Sequence, residues 1–157
     1  MVVGKVSTVS GPLVIADGMS GSTFHETVRI GEENLVGEII GLEEDKAMIQ
    51  VYEDTTGLTV GEEVVSTGKP LTVELGPGIL GMIYDGLQKP LIRVEELTGP
   101  FLKRGVTAES LSRKKKWRFR PLVKENAEVS DGDILGAVNE TNLLEHKIMV
   151  PPGVDGT

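Results

Sequence analysis

Cysteine is absent from this chain, and histidine occurs only twice in 157 residues. The first absence excludes a disulfide framework and thiolate metal sites and fits a reducing compartment. The second leaves His25 and His146 without a neighbouring histidine at metal-ligand spacing, so both are read as surface or half-buried strand residues. Aromatic residues are scarce as well. There are six, and three of them (Phe101, Trp117, Phe119) fall in one short segment, so most of a core must be built from Val, Ile and Leu. No apolar run approaches the roughly 20 residues needed to cross a bilayer, and the N-terminus lacks a charged-then-apolar leader. The expected location is cytoplasmic, with no direct membrane insertion.

The motifs of nucleotide and metal chemistry are missing too. A phosphate-binding loop needs Gly-x-x-x-x-Gly-Lys-Ser/Thr, in which successive backbone N–H groups cradle phosphate and a hydroxyl reaches magnesium. In "TGKP" the hydroxyl's place is taken by Pro70, and Gly4-Lys5 is followed by Val6. Acidic clusters at Glu43-Glu44-Asp45 and Glu95-Glu96 read as a solvated turn and a solvated strand end. Nothing assembles a nucleophile, its base and an oxyanion site, so no catalytic, cofactor-binding or metal residue is assigned.

What is present is glycine, 20 residues of it, and proline, 8 residues, punctuating short β-branched runs in a chain that is 39% hydrophobic. Before residue 105 no stretch sustains a long helical period, and the fold class is mainly β. Residues 1–72 predict six short strands. "GKVSTVSGPLVIADG" supplies two, hinged at Gly11-Pro12, and "FHETVRIGEENLVGEIIGLEEDKAMIQVYED" supplies three, with a hairpin turn at Glu43-Glu44-Asp45-Lys46. "GLTVGEEVVSTG" supplies the last. Six strands with no helix between them predict a small closed barrel, which leaves no unpaired edge. Residues 73–100 are a different material. Here "LGPGILGMIYDGLQKPL" is apolar but too broken by Gly and Pro to be a plain helix or strand. Residues 101–157 predict a second, smaller β lobe with turns at Ser130-Asp131-Gly132-Asp133 and Pro151-Pro152-Gly153.

Charge is unevenly distributed. The formal net charge is −8, yet Lys103 to Arg120 holds eight Lys or Arg against one Glu, so this segment carries +7 and the rest of the chain −15. In "SRKKKWRFRP" the alternation of basic residues with Trp117 and Phe119 suits stacking on single-stranded nucleic acid. It equally suits an amphipathic strand, with the two aromatics on one face and Arg118 and Arg120 on the other. The acidic remainder favours the strand, and no nucleic-acid partner is expected.

The segment "AEVSDGDILGAVNETNLLEHKIMVPPGVDGT" resembles the biotinyl and lipoyl carrier domains, whose hairpin tip presents a modifiable lysine. Aligned through "GDIL", the tip position here is Asn142, which cannot be acylated in that way, and Lys147 falls in the returning strand. The whole chain in turn resembles the catalytic A subunits of archaeal-type and vacuolar-type rotary ATPases. "ELGPGILGMIYDGLQKPL" and the insertion "FLKRGV…RKKKWRFRPLVKENAEVSDGDILGAVNETNLLEHKIMVPPGVDGT" carry the resemblance most specifically. It implies an N-terminal barrel that joins alternating A and B subunits in a ring, and an outward bulge that can meet the peripheral stalk. ATP, ADP and Mg²⁺ would be handled by later parts of the parent protein, and these residues would carry no nucleotide chemistry or ATPase activity of their own. Ile79, Leu80, Met82, Ile83 and Leu87 would cover a core made mostly by the remainder of the A subunit. They are expected to be poorly ordered alone or buried against another chain. Lys114, Lys115 and Lys116 would offer a polar contact surface on the bulge. The alternative from the residues alone is a free-standing β scaffold unrelated to ATP turnover.

Overall fold

A computed structural model describes residues 1–101 and 103–157. They fall into two compact units, Met1–Val73 with Ile92–Ala108, and Glu74–Leu91 with Glu109–Thr157.

The first unit contains the barrel. Its strands are β1 (Val3–Ser10), β2 (Leu13–Asp17), β3 (Glu26–Ile30), β4 (Leu35–Glu43), β5 (Lys46–Val51) and β6 (Glu63–Pro70), closed in the antiparallel order β1-β2-β5-β4-β3-β6. The period-2 pattern decides which side chains face inward: Ala47, Ile49 and Val51 of β5 are buried, while Lys46, Met48 and Gln50 between them are exposed. The core cluster holds Val6, Val14, Val28, Ile30, Ile39, Ile49 and Val64 among others and contains no aromatic ring, as the scarcity of aromatics requires. Both expected hairpins form, with Ser10 opposite Leu13 across Gly11-Pro12 and Glu43 opposite Lys46 across Glu44-Asp45. Closure depends on β6, which pairs with both β1 and β3.

The β3–β6 ladder is irregular between Glu26 and Val28. Such a break leaves backbone donors without ladder partners, and buried donors must be satisfied by another group. The carboxylate of Glu26, only 3% exposed, takes this role. It accepts from the backbone N–H of Thr23 at 2.8 Å and of Gly68 at 2.6 Å, and from the Ser66 hydroxyl. Burial pushes this carboxyl up, but the bonds from Ser66, Thr23 and Gly68 outweigh it and hold it below the ordinary glutamate value.

Helix α1 (Leu91–Thr98) corrects the expectation of a solvated strand end at Glu95-Glu96, because both glutamates lie on the helix. Eight residues free of Gly and Pro, with buried Val94, make one short helix possible. It ends where Gly99 adopts a φ of 77° and its N–H returns to the Glu95 carbonyl at 2.8 Å.

The second unit has a three-stranded sheet, β7 (Phe119–Pro121), β8 (Ile134–Asn139) and β9 (Glu145–Met149), in the order β7-β8-β9. Asp133 closes the expected 130–133 turn by accepting the Ser130 N–H at 2.9 Å. The 151–156 turn brings Gly156 back to an isolated bridge with Val129. The basic segment is less of a strand than expected. Only Phe119–Pro121 pairs, and Trp117 lies outside the ladder with the Lys115 ammonium 3.9 Å from its ring centroid. The two aromatics therefore do not share a strand face. The Phe119 ring instead occupies space that Gly136 leaves open, since a Cβ at Gly136 would overlap it.

Candidate functional site

The Gly- and Pro-broken stretch is held by its own turns and by the second lobe. Asp85 organises one turn by accepting the N–H groups of Leu87 at 2.9 Å and Lys89 at 2.7 Å. Gln88 and Glu74 exchange hydrogen bonds at 2.6 Å each, from the Glu74 N–H to the Gln88 amide oxygen and from the Gln88 amide to the Glu74 carbonyl. Tyr84 donates its hydroxyl to the Ser110 carbonyl at 2.9 Å, and Arg113 pairs with Glu74.

The five apolar candidates divide between two environments. Ile79, Met82 and Leu87 are half-buried, whereas Leu80 and Ile83 are 51% and 63% exposed. Leu80 and Met82 line a cavity of about 370 Å³ together with Gly78, Trp117, Glu140 and Lys115. Ile79, Ile83 and Leu87 do not line it. Lys114 and Lys116 are exposed and also lie outside it.

Glu140 is the residue of this site that sequence reasoning missed. Its side chain is 3% exposed and sits in the β8–β9 connection. One oxygen, Oε1, accepts the backbone N–H of Gly78 at 2.7 Å and of Leu80 at 3.1 Å. Burial raises the Glu140 carboxyl, but these two N–H groups and the nearby His146 overcome that and hold it below the usual range. The other oxygen, Oε2, is buried without a hydrogen-bond partner among the described residues. His146 Nδ1 stands 3.6 Å from it, beyond hydrogen-bond length. The only hint in the sequence is an acid beside a hairpin tip, and nothing in "NETNL" reveals that it folds back on a loop 62 residues earlier. Asn142 is exposed at that tip and Lys147 lies in β9 opposite Ala137, so the carrier-like hairpin holds no lysine at its tip.

The exterior of the barrel carries a second polar group. Glu38 accepts from the Tyr52 hydroxyl and lies 2.5 Å from His25 Nδ1; the Tyr52 bond first, and His25 after it, hold Glu38 below the ordinary glutamate value, while the bond to Glu38 pushes Tyr52 up to about 12. His25 is 63% exposed and lies in the turn before β3 rather than in a strand. Among the described residues no cluster of His, Asp and Glu has the makings of a metal site.

Comparison with known proteins agrees with this architecture in both parts. Residues 6–68 match the family described as the ATP synthase alpha/beta family, beta-barrel domain, and residues 108–157 match the ATP synthase alpha/beta subunit barrel-sandwich domain. The A subunit of the A-type ATP synthase of Desulfurococcus sp. (strain SY) is 58% identical over 153 residues, covering 98% of this chain and 26% of that protein. Those of Staphylothermus marinus and Pyrococcus abyssi are 56% and 58% identical over 155 and 153 residues, covering 99% and 98% of this chain and 26% and 15% of theirs. The chain belongs to the family of A-type ATP synthase A subunits. It spans about a quarter or less of the length of these relatives. Within that family the barrel is the part already recognised by its strands, and the Glu140 cavity belongs to the unit that contains the barrel-sandwich match. Among the described residues no helix is long and apolar enough to cross a membrane.

Proposed function

We propose that the chain is the non-catalytic head of an A subunit in a membrane-bound rotary ATP synthase that couples ATP synthesis or hydrolysis to proton or sodium transport. The observation that carries this reading is a closed six-stranded barrel in the residues matching the family's barrel domain, within a chain 58% identical over 98% of its length to an A-type ATP synthase A subunit. A closed barrel has no free edge strand, so it holds its shape while its outer surface meets neighbours. The barrel would join A and B subunits in the ring, at the cytoplasmic side of the membrane. The bulge would offer Lys114, Lys115 and Lys116 to the peripheral stalk. Of the five apolar candidates, Leu80 and Ile83 are the exposed ones that the remainder of the A subunit would cover, and Ile79, Met82 and Leu87 are half-buried. ATP, ADP and Mg²⁺ are assigned to the parent protein outside these residues.

The test is competition. Added in excess during reconstitution of an A-type ring, this chain should bind B subunits and lower the yield of complete hexamer, as read by analytical ultracentrifugation. Unchanged assembly with no co-sedimentation overturns the ring role. Calorimetry with Mg-ATP should give no saturable heat, and micromolar binding would contradict the assignment of nucleotide to the rest of the parent protein.

A further inference from the structure

The cavity beside Gly78 is bounded by groups of complementary chemistry. Glu140 supplies a carboxylate that is 3% exposed, with Oε1 fully engaged by two backbone N–H groups and Oε2 left without a hydrogen bond among the described residues. A buried carboxylate oxygen is costly unless a cation or donor meets it; His146 Nδ1, 3.6 Å away, lies at ion-pair range but beyond hydrogen-bond length, so Oε2 keeps an unfilled place for a donor. Trp117 supplies a wall whose π face already attracts a cation, the Lys115 ammonium at 3.9 Å from the ring centroid. Ser110 and Ser112 place further polar groups on the lining. At about 370 Å³ the space is large enough for one amino-acid side chain.

We propose that this cavity is a guanidinium-binding site, in which Glu140 Oε2 accepts from the planar cation and Trp117 stacks against it. Guanidinium fits better than a compact ammonium because it is weakly hydrated, donates in its plane and stacks on aromatic faces. Two sources share that chemistry, an arginine side chain of a neighbouring protein and a free arginine-like metabolite. Lys115 is the competitor already present, since its ammonium occupies the aromatic face and repels a second cation. Neither assembly of a ring nor nucleotide turnover is needed for this inference, so it stands apart from the function proposed above.

Trp117 is the only tryptophan, so its fluorescence reports directly on the cavity wall. Titration of the full chain with N-acetyl-argininamide and with free arginine should give saturable changes in emission, whereas neutral N-acetyl-citrullinamide should give none. Tighter binding of the blocked amide identifies a protein side chain as the source, and tighter binding of the free amino acid identifies a metabolite. Glu140→Gln keeps an oxygen acceptor for Gly78 and Leu80 while removing the charge, and should weaken binding about tenfold or more. Lys115→Met should tighten it several-fold by removing the competitor. Saturation by the citrulline compound, absence of saturation by either guanidinium compound, undiminished binding in Glu140→Gln, or weaker binding in Lys115→Met each overturns the proposal. If Glu140→Gln disturbs the loop, seen as shifted Gly78 and Leu80 amide resonances, the citrulline and Lys115 comparisons still decide it.

Discussion

Glu26 shows how much one side chain carries in this molecule. It replaces missing ladder partners at the β3–β6 irregularity, and Ser66 is 1% exposed beside it. Ser66→Ala removes a hydrogen bond to a charged, buried group and should cost about 1.5–3 kcal/mol, measurable by urea unfolding. Because the folded-state carboxyl of Glu26 lies below its unfolded value, its contribution to stability is present above the ordinary glutamate range and is lost as pH falls through the folded value. The thermal midpoint should therefore decline on acidification below the ordinary carboxyl value of 4.5, and Glu26→Gln should flatten that part of the profile while lowering stability at neutral pH. Tyr52 provides a separate residue-level test. The hydrogen bond to Glu38 pushes its phenol up to about 12, so an ultraviolet titration should show Tyr52 ionising near that value, and Glu38→Gln should return it toward the ordinary phenol value of 10.0.

At the scale of elements, turns and close approaches matter more than strand propensity. Glu44 holds a φ of 55° in the β4–β5 hairpin, a left-handed conformation that costs a residue with a Cβ about 1 kcal/mol. Glu44→Gly should recover no more than about 0.5 kcal/mol, because the larger entropy loss of glycine on folding offsets most of the relieved strain; urea unfolding measures the difference. In the second sheet Gly136 permits contact with the Phe119 ring and the Arg120 carbonyl, the latter only 2.6 Å from where a Cβ would lie. Gly136→Ala should detach β7 from β8, with faster hydrogen exchange in both strands, and cost about 1–3 kcal/mol. The hairpins of the barrel are legible in the sequence because each is bounded by local turn chemistry. Helix α1 is not, because eight residues hold barely two turns of period and the burial of Val94 is decided by tertiary packing. The basic segment reads as a longer strand than it forms, because alternation alone cannot show that the Trp117 ring leaves the ladder to form a cavity wall.

For the molecule as a whole, the described residues form two units whose apolar surfaces are used differently. In the barrel the inward side chains are nearly all enclosed, and Ile49→Ala should cost about 2–5 kcal/mol, with amide protection lost across β4 and β5. In the 74–91 stretch the exposed Leu80 and Ile83 contribute little to the isolated chain. Changing both to Ser should alter its stability by no more than about 0.5 kcal/mol per site and, if the proposed role holds, weaken a pull-down of the remaining part of an A-type A subunit. A fall in stability of the isolated chain several times larger than that would show these side chains already have their partners within it.

The amino-acid sequence by itself determined the six strands, the aliphatic core, the absence of a phosphate-binding loop and the kinship with rotary ATPase A subunits, because strand period, turn residues and motif spacing are local properties of a chain. Only the tertiary structure decided that Glu26 mends an irregular ladder and that Glu140 turns inward to bind Gly78 and Leu80 beside Trp117. Those roles depend on which distant backbone donors would otherwise be buried unpaired, and that is settled when the chain closes on itself.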